Sequence, residues 1–173
     1  MLPSLTLPTT LPIRAGEIDL RRADLADLDD LMRLMSDDAV SASRGDRNDA
    51  ADRGHYERGL RAIIEEPAND IVVAVDADGR VIGTLQLTLI PGLARRGATR
   101  LLVEAVRVAS NLRSRGIGEA MMRWVMDIAT AQTGADLVQL TSDRARVDAH
   151  RFYLRLGFTD SHVGFKYRVS DET

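Results

Sequence analysis

The sequence contains no cysteine, and this absence excludes several kinds of chemistry at once. A chain without thiols has no disulfide framework, no thiolate metal site and no thiol nucleophile. The composition is compatible with a reducing compartment, so we expect a cytoplasmic protein. Histidine is also scarce, and His55, His150 and His162 lie too far apart in sequence to form a metal-ligand pattern. We therefore predict no metal.

A strong positive charge and long apolar runs are absent as well. The net charge is −3 at pH 7, whereas a general nucleic-acid-binding protein usually carries a basic domain or stripe. No apolar run approaches the roughly 18 to 20 residues that span a bilayer. These two absences predict that neither nucleic acid nor a membrane is a partner of the protein.

The length of 173 residues suits one domain with a sizeable core, which we place at residues 14–170. The segment before it, MLPSLTLPTTLPI, has no basic region of the kind that begins a signal peptide, and three prolines interrupt it. We interpret residues 1–13 as a flexible, extended N-terminal tail.

The spacing of apolar residues predicts the secondary structure of the first half. Alternation in Glu17–Ala23 favours a strand, and apolar residues three and four apart favour a helix that Asp24 caps and that ends near Met35. Residues 37–52 are small and polar, as in a surface loop or a loosely formed helical segment. A helix over Arg53–Glu66 and a β-hairpin with strands Ile71–Val75 and Val81–Ile90 follow.

The second half alternates between strands and helices. We predict strands at Leu101–Val108 and Leu137–Leu140, helices at Glu119–Thr133 and Asp148–Leu156, and a last strand at Val163–Val169. The helix over Glu119–Thr133 carries an apolar stripe that we expect in the core, formed by Met121, Trp124, Val125 and Ile128.

A glycine loop joins the strand Leu101–Val108 to the helix that follows it. Its residues are Arg113, Ser114, Arg115, Gly116, Ile117 and Gly118. Two glycines free the backbone to turn its N–H groups into one concavity at a helix N-terminus, where the helix dipole adds positive charge. Such a loop binds phosphate. The alternative is that the glycines form only a tight turn.

Two motifs in this order of elements resemble those of the GNAT family of N-acetyltransferases. The loop pattern of the family, Arg or Gln, two residues, Gly, one residue, then Gly or Ala, is matched by Arg113, Gly116 and Gly118. The pattern that leads into it is matched by Glu104, Val106 and Val108. The later signature is matched by Ala149, Phe152, Tyr153, Leu156, Gly157 and Phe158.

The resemblance implies an α/β (α+β) fold. This is a single GNAT-type domain whose mixed, mostly antiparallel central sheet is flanked by about four helices, with the fourth and fifth strands splayed apart. The resemblance also implies acetyl-CoA as co-substrate. Its pyrophosphate would lie on the main-chain amides of Arg113–Gly118, and its pantetheine arm would pair with the backbone of Val106 and Val108.

Acyl transfer to an amine needs a base for the amine and an acid for the departing thiolate. Glu104 is a carboxylate in an otherwise apolar strand, and partial burial there would suit a general base. The alternative is a carboxylate that faces solvent or bridges to Arg107 or Arg100. The resemblance implies Tyr153 as the general acid, with a packed aromatic residue as the alternative. Arg146 stands where many family members have asparagine, and we expect it to contact the co-substrate.

The resemblance thus implies direct transfer of an acetyl group from acetyl-CoA to a primary amine, which we expect to belong to a small molecule. The run DAHRFYLRLGF resembles that of bacterial aminoalkylphosphonate N-acetyltransferases. Arg95, Arg96 and Arg100 would suit an acceptor with an anionic group, unless they only form a solvated loop. A non-catalytic acyl-CoA sensor and an acetyltransferase for protein N-termini or lysines stay open, and the resemblance also allows a homodimer.

Overall fold

The computed structural model describes residues 2–37, 39–43, 45–167 and 169. The chain forms two compact units, Met1–Leu140 and Thr141–Thr173. None of the helices in the described ranges is long and apolar enough to cross a membrane.

The N-terminal unit is built on one sheet of six strands in sequential order. The strands are β1 (Thr9–Ile13), β2 (Gly16–Arg22), β3 (Asn69–Val75), β4 (Val81–Ile90), β5 (Arg100–Val108) and β6 (Leu137–Leu140). Neighbours are antiparallel except β5 and β6, which are parallel and pair only over Arg100–Val103 and Leu137–Leu140. The last five residues of β5 therefore extend beyond this pairing, as the predicted splay of the two strands requires.

The N-terminal segment is part of the sheet, so the prediction of a flexible tail over residues 1–13 is wrong. β1 pairs with β2, and Leu2 and Leu5 are only 2% and 4% exposed. Arg22 of β2 donates hydrogen bonds to the carbonyls of Leu2 and Leu5 at 2.7 and 2.9 Å. Pro12 is tolerated because β1 lies at the edge of the sheet, where a missing N–H need not break a ladder.

Three helices cover one face of the sheet, and their bounds are α1 (Leu28–Ser36), α2 (Ala39–Ser43) and α3 (Arg53–Glu65). The predicted cap is confirmed, since the Asp24 carboxylate accepts the Ala26 N–H at 2.7 Å before a short 3₁₀ turn leads into α1. Apolar residues of α1 and α3 pack with alternate residues of β3 in one core cluster, which includes Leu31, Leu34, Leu60, Ile71, Val73 and Val75.

Two buried carboxylates are paired with arginines of β2. Asp27 accepts two hydrogen bonds of 2.7 Å from Arg21, and Asp70 accepts one of 2.8 Å from Arg22. Burial raises the pKa of a carboxyl group. For Asp27 the opposing hydrogen bonds from Arg21 and from the Asp24 N–H prevail, and its pKa is lowered. For Asp70 burial prevails over Arg22, and its pKa is raised.

One long helical run follows β5 and ends at Gly134. It consists of α5 (Ile117–Trp124), a π-helical segment (Val125–Ala129) and α6 (Thr130–Thr133). Three residues of the predicted apolar stripe are buried, but Ile128 is 44% exposed and Ala129 is buried in its place. The wider π turn rotates the residues after Val125 relative to a regular α-helix, so the prediction for Ile128 is wrong.

The C-terminal unit contains α7 (Val147–Leu156). Gly157 ends it at φ +100°, and the N–H groups of Gly157 and Phe158 donate to the carbonyls of Leu154 and Tyr153. The last strand, predicted over Val163–Val169, is absent from the described residues 163–167 and 169, while Arg168 lies outside them. Val163, Phe165, Tyr167 and Val169 are 69 to 92% exposed. Alternation favours a strand only where a neighbouring strand supplies the hydrogen-bond ladder.

Candidate active site

A β-bulge interrupts β5 directly after Glu104. Glu104 lies opposite Gln86, and Arg107 lies opposite Thr84, so two residues of β5 face the single residue Leu85 of β4. Ala105 occupies the left-handed region at φ +51°. The bulge falls beyond the residues of β5 that pair with β6, and bulges of this kind bend a strand and redirect its side chains.

Glu104 itself is exposed, so the expectation of partial burial is wrong. Its carboxylate has no hydrogen bond or ion pair within the described residues. The two arginines considered as its partners contact other groups. Arg107 donates to Ser41 Oγ at 2.8 Å, and Arg100 Nη1 donates to Gln139 Oε1 at 3.3 Å. The carboxylate therefore faces solvent, where a proton can reach it directly or through a water molecule.

Beyond the bulge, two main-chain carbonyls of β5 accept hydrogen bonds from arginine side chains. The Val106 carbonyl accepts from Arg107 Nη1 at 2.9 Å, and the Val108 carbonyl accepts from Arg113 Nε at 3.4 Å. Arg113 also donates to the carbonyl of Asp37 at 3.0 Å. The sequence predicts that the backbone of these two residues pairs with an extended ligand, and in the structure both carbonyls accept hydrogen bonds from arginine side chains.

The glycine loop has the backbone conformation of a helix-start anion site. Ser114 and Gly116 both have positive φ, at +66° and +91°, and Gly116 is the N-cap residue that directly precedes α5. The first N–H groups of a helix have no intrahelical acceptor, and the helix dipole places partial positive charge there. These amides follow Gly116 in sequence. The loop can therefore receive an anion from the N-terminal side of α5.

Arg14, in the turn between β1 and β2, lies against this loop and was not found from the sequence. Its Nη1 donates to the Ser114 carbonyl at 3.4 Å, and its Nη2 lies 3.7 Å from a carboxylate oxygen of Glu119. A Cβ on Gly116 would lie 3.2 Å from Arg14 Cγ. The local sequence around Arg14 carries no signal for this contact, because it depends on β1 pairing with β2.

A cavity of about 310 Å³ lies between β1 and α5 on the Arg14 side of the loop. Apolar residues of β1 line one side, and Gly116, Glu119 and Arg123 line the other. Arg14 lines this cavity as well as contacting the Ser114 carbonyl, and its side chain is 71% exposed.

Tyr153 and Arg146 belong to the C-terminal unit, whereas Glu104, Val106, Val108 and Arg113–Gly118 belong to the N-terminal one. Tyr153 is half-buried on α7, with its ring centroid 5.2 Å from that of Phe152 and 5.8 Å from that of Phe158 in an edge-on contact. Arg146 precedes α7, and its carbonyl accepts the His150 N–H at 3.0 Å. Across the described residues, no group of three or more His, Asp and Glu is close enough to hold a metal ion.

Comparison with known proteins gives relatives that cover between 51% and 88% of this chain. The chain is 35% identical over 88 residues to an aminoalkylphosphonate N-acetyltransferase of Salmonella typhimurium, and the match covers 51% of this chain and 56% of that protein. The chain thus spans just over half the length of this curated relative.

Two solved structures are similar over most of their length. A transcriptional regulator from Bacillus halodurans C-125 has a TM-score of 0.82 at 33% identity, covering 88% of this chain and 99% of that one. A putative acetyltransferase from Agrobacterium tumefaciens str. C58 has a TM-score of 0.72 at 25% identity, covering 87% and 99%. The acetyltransferase (GNAT) family model matches residues 28–158, well over half of the sequence. The chain therefore belongs to the acetyltransferase (GNAT) family.

Proposed function

We propose that this protein is an N-acetyltransferase that transfers an acetyl group from acetyl-CoA directly to the primary amine of a small molecule. The observation that carries the proposal is the continuous stretch from Glu104 through the bulge to Gly116. It supplies a solvent-facing carboxylate, a strand end beyond its pairing with β6, and a left-handed loop at a helix start. The Salmonella typhimurium relative, an aminoalkylphosphonate N-acetyltransferase, supports a small amine as acceptor.

The co-substrate would bind along this stretch in two parts. The amides of Arg113–Gly118 suit the pyrophosphate, because Gly116 leaves the helix start open and the dipole favours an anion there. The backbone of Val106 and Val108 suits the amides of the pantetheine arm, which would replace the contacts from Arg107 and Arg113. Arg146 is proposed as a cation for a phosphate on the basis of its position in the family motif.

The chemistry is proposed as a direct displacement. Glu104, directly or through water, accepts a proton from the acceptor ammonium, and the freed nitrogen lone pair forms the C–N bond to the acetyl carbon. The C–S bond breaks, the nitrogen gives up its second proton to solvent, and Tyr153 protonates the departing thiolate and then regains a proton from solvent. The role of Tyr153 rests on its place in the family motif. No covalent enzyme intermediate is expected, because the chain has no cysteine.

We further propose that residues 14–170 work as one acetyltransferase domain, with β1 added to its sheet. The family match supports this, since residues 28–158 run across both compact units.

The test is CoA release over a panel of small amines, peptides with free N-termini and lysine peptides, for the wild type and for Tyr153→Phe. We expect turnover with small amines, and a loss in Tyr153→Phe of about 10²-fold in kcat at unchanged acetyl-CoA affinity. Acetyl-CoA binding measured by calorimetry without turnover of any amine would contradict the proposal and favour a sensor. If the enzyme prefers the peptides, the acceptor is a protein N-terminus or lysine rather than a small amine.

A further inference from the structure

One face of the sheet changes from apolar to polar beside Glu104. Directly paired residues share a face, as do alternate residues of one strand. Gln86 is paired with both Ile71 and Glu104, while Thr88 is paired with Asn69. These residues therefore lie on the face of Ile71 and Val73, which packs against α1 and α3.

The same polar face continues onto β6. Thr88 is paired with Leu102, which is paired with Gln139, and Arg100 lies two residues before Leu102 on its strand. The contact of 3.3 Å between Arg100 and Gln139 independently places their side chains on one face. We name the polar strip as the six residues Asn69, Gln86, Thr88, Arg100, Glu104 and Gln139.

The polar strip is neither core nor open surface. Five of its members are half-buried and Glu104 is exposed, whereas Leu85, Leu87, Leu101 and Val103 on the opposite face are 0 to 1% exposed. The apolar core under α1 and α3 includes Ile71 and Val73 but none of these six side chains. Half-buried polar groups at the margin of a core cost desolvation energy unless they are paired or bind something.

The hydrogen bonds within the strip leave donors available. Thr88 donates to Asn69 Oδ1 at 2.6 Å and Arg100 donates to Gln139 Oε1, so the NH₂ groups of both amides stay free of these contacts. No hydrogen bond of the Gln86 side chain occurs within the described residues. The strip thus offers a carboxylate at Glu104 and a guanidinium with several amide donors toward Arg100.

We propose that the polar strip binds the acceptor, and that the acceptor is a primary amine with an anionic tail such as a carboxylate or phosphonate. The inference rests on the proposed function, because it takes Glu104 as the base to which the ammonium group comes. Glu104 lies four positions after Arg100 on β5, which places their Cα atoms about 13 Å apart. The two side chains, on one face, present opposite charges to the two ends of a short molecule.

Of the three arginines Arg95, Arg96 and Arg100, only Arg100 belongs to the polar strip. Arg95 and Arg96 are exposed in the turn α4 (Ala94–Gly97), at φ +54° and +63°, and follow the end of β4. They lie outside the strand register that places Arg100 beside Gln139. Arg96 is therefore a matched control for Arg100.

The test compares four amines of similar length and different tails: 2-aminoethylphosphonate, 3-aminopropanoate, ethanolamine and propylamine. We expect kcat/KM for an anionic amine to exceed that for propylamine by at least about tenfold. Arg100→Met should abolish this preference by lowering kcat/KM for the anionic amines, Arg100→Lys should retain part of the preference, and Arg96→Met should leave it unchanged. Gln86→Leu should raise KM for the amine but not for acetyl-CoA.

The outcomes separate this inference from the proposed function. Turnover of all four amines at similar kcat/KM would overturn the polar strip as an anion-selective site and leave the acetyltransferase intact. A preference that survives Arg100→Met, or that Arg96→Met removes equally, would also overturn it. No turnover of any amine would overturn the function and the strip together. Melting temperatures of the variants show whether a change in kcat/KM comes from a lost contact or from unfolding. Arg100→Lys keeps the positive charge and serves as the conservative variant at this position.

Discussion

The side chain of Arg14 lies in the space into which any residue other than glycine at position 116 would extend. A Cβ there would lie 3.2 Å from Arg14 Cγ and 3.4 Å from its main-chain nitrogen, and Gly116 also has φ +91°. Two separate physical constraints therefore require glycine at this position: its backbone conformation and its packing against Arg14. The two reasons can be tested separately.

Gly116→Ala should weaken acetyl-CoA binding by about tenfold or more, because both the helix start and the Arg14 contact must shift. Gly134→Ala is the matched control, since Gly134 has φ +70° with no atom within 4 Å of an added Cβ. It should lower the free energy of unfolding by about 1 kcal/mol and leave acetyl-CoA affinity unchanged. Calorimetric titration with acetyl-CoA measures the affinity of both variants, and urea unfolding measures the free energy of unfolding. Equal affinity losses in the two variants would show that strain alone, and not this site, is responsible.

Arg14→Ala should raise KM for acetyl-CoA about three- to tenfold with kcat within about twofold, since it removes one donor to the Ser114 carbonyl without touching the reacting groups. In a double variant it should restore part of the affinity lost in Gly116→Ala. Arg80→Ala, which removes an exposed arginine of the β3–β4 hairpin, serves as the control. A fall in kcat at constant KM would contradict a role in holding the loop.

Glu104→Gln should lower kcat/KM for the amine by about 10² or more, because the amide cannot accept the ammonium proton. The deficit should narrow at alkaline pH, where more of the acceptor is already deprotonated. Acetyl-CoA affinity should stay unchanged, and Glu65→Gln at the exposed end of α3 should have no effect. The measurement is a pH-rate profile. A deficit that is constant over the whole alkaline range would rule out Glu104 as the base.

The two buried aspartates should affect acid stability in opposite directions. Asp27 has a lowered pKa in the folded protein, so its contribution is present above the unfolded pKa of about 4 and is lost as the pH falls through the folded value. Asp27→Asn should lower the free energy of unfolding by about 2 kcal/mol at pH 7, and by less below pH 4.

Asp70 has a raised pKa, so its contribution is present below the unfolded value and is lost as the pH rises through the folded one. Asp70→Asn should therefore make the loss of stability on acidification steeper, whereas Asp27→Asn makes it shallower. Urea unfolding between pH 3 and pH 7 measures both slopes. Parallel slopes in the two variants would contradict the assignment.

Features set by nearby residues were accessible from the sequence. The strand Val81–Ile90, the cap at Asp24 and the glycine loop each depend on chemistry within a few residues, and the structure has them where they were expected. The participation of β1 depends instead on contacts between Arg22 and the carbonyls of Leu2 and Leu5. No local pattern contains that information.

The errors in the candidate site have the same origin. Ala105 carries no glycine signal for its positive φ, so the bulge could not be inferred from residue type. The exposure of Glu104 depends on where cover by α1 and α3 ends, and the contacts of Arg100 and Arg107 depend on β6 and α2. Val163–Val169 shows the converse, since alternation alone did not produce a strand in the described residues.

The bulge at Ala105 changes whether even-numbered or odd-numbered residues of β5 face α1 and α3. Up to Glu104 the even-numbered residues face α1 and α3, and after the bulge it is Arg107 that faces this side and reaches Ser41. Deleting Ala105 would leave Glu104 opposite Gln86 and Arg107 opposite Thr84 in a regular ladder, so the faces of the strand would stay the same and only the bend of the bulge would be lost. The bulge thus lies between the proposed acceptor end of the strand and its proposed co-substrate end, and a deletion there would change the bend of the strand rather than its pairing with β4.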